Sequence, residues 1–580
     1  MNMNRRHILK CLALGTTAAI TRLPPIFAVE GSVTTRGLGG ISLNYDDSHF
    51  FCWHPVEEMN AAGVDAEVDR YRGTQVDHLF FCPNAQRSNV ASKVRQSLWD
   101  GYDPDGDNNQ PFLAGVPDRP YSWSGGPNQR QHMRNLAHAA RLLHTRGIDP
   151  YARWIARCRK YGIHPWLSMR MNDVHYAGHP EHSLHDRFWK EHPEYRRDPQ
   201  GNHNGQCLDY GRPEVRTYQM AYVRELIFRY DMDGFEFDWM RNPFYFKPGQ
   251  EKKGLEILTE FTSEVRQLLD QREKEVGHRI QLSARVPARP ETALGLGFDV
   301  PAWASRNLID RLIVTPFLFS QFDIPIEQWK QLLAGSSITL EAGLMQTIRS
   351  FAGGPTLSHS LETARGAAMS LLDRGADRIY LFNFFDYEPY GVTGEAYRES
   401  VIGKAFNQLL REIGSMETMA GRSRRHIVTN DDTWVPRQDP LLFMPREIHS
   451  GAKVRFRIPV GPGPVRGQVV QVRLAAQHPQ TTTIKEWDIQ VNGQSCRSLG
   501  QIVLPGEMSH LPWRKVTAGT PAPTHAFEIP PRAVRHGTNE VDVVNPTDAS
   551  ARLIWLELAF SGPRGKWPVS SLEVSQLHPQ

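Results

Sequence analysis

The chain predicts an α/β architecture: a (β/α)₈ TIM barrel followed by a C-terminal all-β sandwich of jelly-roll type. Three observations carry that expectation. From residue 40 to about 415, short apolar or β-branched runs alternate with segments of helical period. Loops rich in Gly, Pro, Asn and His follow the second and third of those runs. After Gly414 the helical period disappears and short alternating strands with Gly, Pro and Asn turns take over.

Taken in order, the strand candidates are Gly40–Asp46, Val76–Pro83, His164–Asn172, Gly234–Met240, Arg279–Val286, Leu312–Leu318, Ser337–Gly343 and Arg378–Phe385. Eight parallel units are the number that closes a barrel. Helical patterns lie between them at Met133–Tyr161, Glu214–Tyr230, Gly254–Glu275, Ile326–Leu333 and Leu361–Arg374, the last followed by Gly375 as a C-cap. The long segments Gln86–Gln131 and Asp173–Arg212 each follow a strand, so both should rise over the C-terminal face of the barrel, where barrel chemistry occurs. Residues 416–440, with the basic stretch Arg422–Arg425, are expected to link the barrel (31–415) to the sandwich (441–580), whose strands are Val454–Pro459, Val469–Ala475, Trp487–Val491, His525–Ile529, Glu540–Val544 and Arg552–Ala559.

A chain of 580 residues exceeds what one hydrophobic core usually supports. Its 40% hydrophobic and 22% charged content is that of a globular protein, without an apolar run long enough to span a bilayer. Residues 1–30 resemble a twin-arginine export signal: Asn4-Arg5-Arg6-His7-Ile8-Leu9-Lys10, an apolar stretch to Ile20, then Pro24-Pro25. An exported protein, periplasmic or extracellular, is expected. Removing that segment takes away Arg5, Arg6, Lys10 and Arg22 against Glu30, so the net charge of +4 falls to about +1 and suggests no nucleic-acid partner. Cys52, Cys82, Cys158, Cys207 and Cys496 then remain, an odd and widely spaced set that implies no disulfide framework.

The most informative segment is Asp231-Met232-Asp233-Gly234-Phe235-Glu236-Phe237-Asp238-Trp239-Met240-Arg241. Strand periodicity puts Gly234, Glu236 and Asp238 on one face and three aromatic residues on the other. If the aromatic face packs on the helices, both acids point into the barrel, where a carboxylate needs a partner or an open cleft. Asp238, nearer the strand's end, is the expected centre of the site.

Together with Asp198-Pro199-Gln200-Gly201, Leu208-Asp209-Tyr210 and Pro213-Glu214-Val215-Arg216, this segment resembles the glycosyl hydrolase-like family 10 proteins over about sixty residues, and barrel order extends the likeness to roughly residues 40–400. The resemblance implies a (β/α)₈ barrel acting on glycans, with a functional Asp at position 238. Barrel glycosidases with Asp-Gly-x-x-x-Asp on the fourth strand use the last Asp as nucleophile. Here Glu236 stands where amylase-like relatives carry Arg, so their mechanism does not transfer whole.

Glycoside hydrolysis needs a second carboxyl group across the scissile bond. Glu341, expected at the end of the seventh strand, is the first choice and Glu236 the other, with Asp173 and Asp386 in reserve. A polar ring for sugar hydroxyls is expected from Asn44, Asp46, Arg170, Asn172, Asp173, His175, Arg241, Arg285, Asn383 and Asp386. His175, His179, His182, His185, His192 and His203 are too loosely spaced for a zinc site, and Asp103–Asn108 is a turn rather than a calcium loop, because Ala114 fills position twelve; no metal or cofactor is expected. The reading from another class is a barrel that binds glycan without cleaving it. A metal-dependent amidohydrolase would need an HxH pair on the first strand, and Ile41–Asp46 has none.

Overall fold

The computed structural model describes residues 40–120, 128–351, 354, 356–382, 384, 391–429, 444–477, 481–502 and 523–567. The expected leader, Asn383 and Asp386 lie outside them. Eight runs of alternating inward and outward residues form the barrel strands β1 (Ile41–Tyr45), β2 (Val76–Phe81), β3 (His164–Arg170), β4 (Gly234–Asp238), β5 (Gln281–Pro287), β6 (Arg311–Thr315), β7 (Thr339–Met345) and β8 (Arg378–Phe382). Every strand pairs in parallel with its sequence neighbours, and β1 closes on β8. All eight strand expectations hold, with bounds shifted by a few residues.

The outward aromatic face of β4, Phe235 and Phe237, packs into the main core between barrel and helices. A second, smaller cluster fills the barrel itself: Phe80, Trp166, Ile313, Met345, Tyr380 and Phe382. Gly234 belongs to this interior for a steric reason, since a Cβ there would lie 2.3 Å from the Trp166 ring.

The strand registers sort the inward side chains into layers drawn from alternate strands. His78, Arg311 and Arg378 lie lowest. Ser42, Trp166, Ser283 and Glu341 follow, then Phe80, Glu236, Ile313 and Tyr380. Above them come Asn44, Ser168, Arg285 and Gly343, then Asp238 with Thr315 and Phe382. Asp46 and Arg170 reach the rim. Glu236 therefore sits at mid-height, and Asp238 near the C-terminal mouth.

The expected helix Met133–Tyr161 is two helices, Gln129–Thr145 and Pro150–Lys160. Gly147 at φ +68° turns the chain out of the first, and Asp149 caps the second ahead of Pro150. The loops after β2 and β3 are tied to each other over the C-terminal face: Gln86 Nε2 donates to the Asp173 carbonyl at 2.7 Å, and Arg87 Nε donates to the His185 carbonyl at 3.1 Å.

The C-terminal strands form two antiparallel sheets. One runs Arg424–Ile427, Ala551–Phe560, Val470–Gln477, Thr524–Glu528, Arg497–Ile502, and the other Lys453–Pro459, Thr538–Val544, Asp488–Val491, Gln494–Ser495. Arg424–Ile427 falls inside the segment expected to be a linker. Its arginines are not a solvated basic run: Arg425 pairs with buried Glu557 at 2.7 Å, and the Arg424 guanidinium lies over the Phe560 ring at 4.0 Å. The strand also lies against the barrel helix Leu361–Asp373 so closely that a Cβ at Gly366 would meet the Arg425 carbonyl oxygen at 1.9 Å.

Candidate active site

β4 delivers two carboxyl groups to the barrel interior at different heights. Asp238 is 1% exposed. Its Oδ1 accepts from Arg285 Nε at 3.0 Å and from the Met240 backbone N–H at 3.0 Å, and Arg285 Nη2 forms an ion pair with the same oxygen at 2.7 Å. All three contacts fall on one oxygen; Oδ2 accepts no hydrogen bond among the described residues. Arg285 is held in turn by the Phe382 ring, 3.9 Å below its guanidinium, while its Nη1 is buried without a hydrogen bond.

Glu236, fully buried two tiers lower, is ringed by hydroxyls. Its Oε1 accepts from Ser168 Oγ at 2.6 Å, Tyr380 OH at 2.8 Å and Asn44 Nδ2 at 3.5 Å, and its Oε2 from Ser283 Oγ at 3.5 Å. Burial drives this carboxyl up to about 7 and the Asp238 charge adds to the shift, against the opposing hydrogen bonds of Ser168 and Tyr380 and the charge of Arg285. Glu236 thus keeps a proton far above the range of an ordinary carboxyl.

At the rim the balance is reversed. Asp46 accepts from Ser48 Oγ at 2.7 Å and pairs with Arg170. Burial opposes its ionisation, but Arg170 and Arg241 outweigh that and bring the carboxyl down to about 2. Asp173 faces Arg170 Nη1 at 3.3 Å and accepts from His175 Nδ1 at 2.8 Å. Burial again opposes ionisation, and His175, Arg170 and Arg241 hold the carboxyl well below its usual range. Arg241, in the turn that ends β4, donates from Nη2 to His175 Nε2 at 2.6 Å. That bond fixes the imidazole as the tautomer with its proton on Nδ1. The His175 side chain is 40% exposed, so solvent reaches this side of the mouth.

The site residues expected from sequence divide into three groups. At the mouth Asp46, Arg170, Asp173, His175 and Arg241 form one chain of ion pairs and hydrogen bonds, and Asp238 with Arg285 forms a separate ion pair. Glu236 lies beneath them, with Asn44 donating to it from the layer above. Asn172 and Glu341 belong to neither. Asn172 donates to the Leu208 carbonyl at 3.1 Å and the Phe244 carbonyl at 3.2 Å and accepts from Leu208 N–H at 3.0 Å, so its amide pins two loops together. Glu341 is not at the end of its strand: β7 runs on to Met345. It lies near the barrel floor, where its Oε1 accepts from Arg311 Nη1 at 2.6 Å with Arg378 Nε 3.9 Å away, and those cations keep its buried carboxyl below the ordinary value. The layer of Phe80, Glu236, Ile313 and Tyr380 and the one above it separate Glu341 from Asp238, so the two carboxyl groups do not face each other.

Sequence reasoning passed over Tyr380 and Phe382, which support Glu236 and Arg285. Their parity on β8 with Arg378 was the available signal. The histidines of the loop after β3 serve packing: His182 stacks on Tyr176 with ring centroids 4.0 Å apart, and the two ring nitrogens of His185 lie 3.0 and 2.8 Å from backbone carbonyl oxygens. Among the described residues, no group of three or more His, Cys, Asp or Glu is placed to hold a metal ion, and no helix is long and apolar enough to cross a membrane.

No protein-family profile matches the chain. No curated protein matches it either. Among solved structures it is similar to a cycloisomaltooligosaccharide glucanotransferase from Paenibacillus sp., at 10% identity and TM-score 0.31 over 90% of this chain and 58% of that one. A chitinase from Bacillus thuringiensis matches at 8% identity and TM-score 0.35, over 91% and 99% of the two chains. The catalytic domain of a GH30 xylanase from Talaromyces cellulolyticus matches at 10% and 0.34, over 88% and 97%. The chain spans little more than half the length of the glucanotransferase.

Proposed function

We propose that the barrel mouth hydrolyses O-glycosidic bonds in a poly- or oligosaccharide, with Asp238 as the carboxylate that acts on the anomeric carbon or on its attacking water. The observation that carries this reading is the β4 pair. One carboxyl, Glu236, retains a proton up to about pH 7, while its neighbour two residues on is anchored through a single oxygen and keeps the other free. A carboxyl that holds its proton, close to a second one paired with a guanidinium, is what acid–base cleavage of a glycosidic bond requires. Glu236 is the proton source. Being fully buried, it passes the proton upward through Ser168 Oγ or a water that enters with the sugar. Asp46 and Asp173, both kept ionised, suit binding of sugar hydroxyls. The resemblance of the Asp198–Asp238 stretch to glycosyl hydrolase-like family 10 agrees with this reading, and the twin-arginine-like N-terminus agrees with action outside the cytoplasm.

One observation favours the rival reading, a barrel that binds glycan without cleaving it: Asp238 is almost wholly buried and paired to Arg285. The two readings part on Asp238→Asn, assayed against a panel of plant and algal polysaccharides with released sugars separated by chromatography. A hydrolase loses turnover and keeps its affinity. Release of no sugar from any polysaccharide by the unaltered protein would overturn hydrolysis in favour of binding.

A further inference from the structure

Three guanidiniums meet at the mouth, and they are not equally satisfied. Arg170 faces two carboxylates, Asp46 and Asp173, and Arg285 faces one, Asp238. Arg241 has no ion-pair partner among the described residues; its one hydrogen bond goes to the uncharged Nε2 of His175. Its Nε is buried and makes no hydrogen bond. Burial and the neighbouring Arg170 charge work against the Arg241 cation more than the charges of Asp173, Asp46 and Asp238, none of which forms an ion pair with it among the described residues, work for it. An anion would relieve it.

The incompletely used donor edge of Arg241 specifies the anion. Arginines elsewhere in this chain take a carboxylate on the edge formed by Nε and Nη2, one oxygen to each. Arg153 does so on Asp65 at 3.0 and 2.7 Å, Arg157 on Asp69 at 2.6 and 2.7 Å, and Arg374 on Glu327 at 2.8 and 2.6 Å. On Arg241 that edge is half used: Nη2 is lent to an imidazole and Nε has nothing. A sugar hydroxyl can accept from one of these N–H groups. A planar carboxylate meets both.

We infer that Arg241 is the recognition residue for a carboxylate carried by the substrate, so that the glycan this site takes contains uronic acid residues. This deepens the hydrolase reading and rests on it. The arriving carboxylate displaces His175 from Nη2 and bridges Nε and Nη2. His175 keeps its Nδ1–H on Asp173 while its Nε2 turns free at the solvent-reached side of the mouth. Binding of acidic substrate and release of an Asp173-backed imidazole are then one event.

The test is a binding comparison on the full chain by calorimetry. The probes are tetramers of galacturonate, mannuronate and glucuronate, each beside its carboxyl-reduced counterpart, which keeps the ring and linkage and loses only the charge. At least one acidic tetramer should bind about tenfold or more tightly than its reduced partner, with affinity falling as salt rises. Arg241→Gln should bring that ratio close to one, and Arg241→Lys should retain part of it; a ratio is insensitive to a fraction of unfolded variant. In ¹⁵N-histidine spectra, the Nε2 resonance of His175 should move on adding the acidic tetramer and stay with the reduced one. Ratios near one for all three pairs, binding of no tetramer, or a preference untouched by Arg241→Gln overturn the inference. Cleavage of neutral glycans without preference for acidic ones leaves the hydrolase reading standing and removes this one. Tight uronate binding without turnover does the reverse.

Discussion

The barrel holds two networks made of the same kinds of residue. On the floor, Glu341, Arg311, Arg378 and His78 join across β7, β6, β8 and β2, with Arg311 Nη1 on Glu341 at 2.6 Å and Arg311 Nη2 on His78 at 2.6 Å. At the mouth, Asp238, Arg285, Arg170, Asp46, Asp173, His175 and Arg241 join the ends of β1, β3, β4 and β5. What separates them is access. The floor is roofed by Trp166, whose ring lies 5.2 Å from the Arg311 guanidinium, and by Phe80 stacked on it at 4.8 Å. The mouth is lined by loops and opens at His175. Enclosed ion pairs hold the structure together; ion pairs of the same composition at an opening have donors left over, and the leftover donors are where a ligand can act.

The largest expected effect breaks the comparison at the mouth. Asp238→Asn should lower kcat on the order of 10⁴-fold, about 5 kcal/mol in the barrier, with little change in KM, and should also lower the thermal midpoint, because buried Arg285 loses its counter-charge. Arg311→Met on the floor should affect stability alone. Removing Arg311 leaves buried Glu341 with only the more distant Arg378, 3.9 Å away, so denaturant unfolding should show a loss of about 3 kcal/mol while kcat per folded molecule is kept. If Arg311→Met also removed turnover in the folded fraction, the floor would belong to the site and the division by access would fail.

Glu236 sits between the two networks and tests the boundary by pH. Its folded value, about 7, lies above the ordinary 4.5. The stability that belongs to its neutral form is therefore fully present below pH 4.5 and is lost as pH rises through 7. Glu236→Gln removes that loss. Relative to the parent, the variant should gain up to about 3 kcal/mol between pH 4 and pH 8 in urea titrations, and its activity should collapse. A pH-independent stability difference would mean that Glu236 titrates normally and is no proton source.

How much of this could be read from sequence depends on range. Alternation within a strand is local, so all eight barrel strands, the face shared by Glu236 and Asp238, and the sandwich strands from Val454 onward were legible. Height along the barrel axis is not local. It is set by strand stagger, which accumulates around the closed sheet, and so parity correctly turned Glu341 inward while nothing in Ser337–Gly343 showed that it belongs with Arg311 on the floor. Partner choice was hidden for the same reason: Asn172 points toward the mouth but is consumed by Leu208 and Phe244, which lie far along the chain. The basic stretch Arg422–Arg425 read as part of a linker because Glu557, the counter-charge of Arg425, comes more than a hundred residues later.

The smallest effect gives the finest division between the two networks. Tyr380 OH donates to Glu236 Oε1 at 2.8 Å, and that bond favours the ionised carboxyl. In Tyr380→Phe the donor is lost while Ser168 Oγ remains at 2.6 Å, so Glu236 stays hydrogen-bonded and stability should fall by only about 1 kcal/mol. The direction of the titration is the informative part. Without the Tyr380 donor the carboxyl holds its proton to still higher pH, so the alkaline limb of kcat should move upward from its position near 7, with the acid limb unmoved. A limb that stayed in place would mean that the proton leaving at that pH is not the one on Glu236, and the search for the acid would move outward to the His175–Asp173 pair.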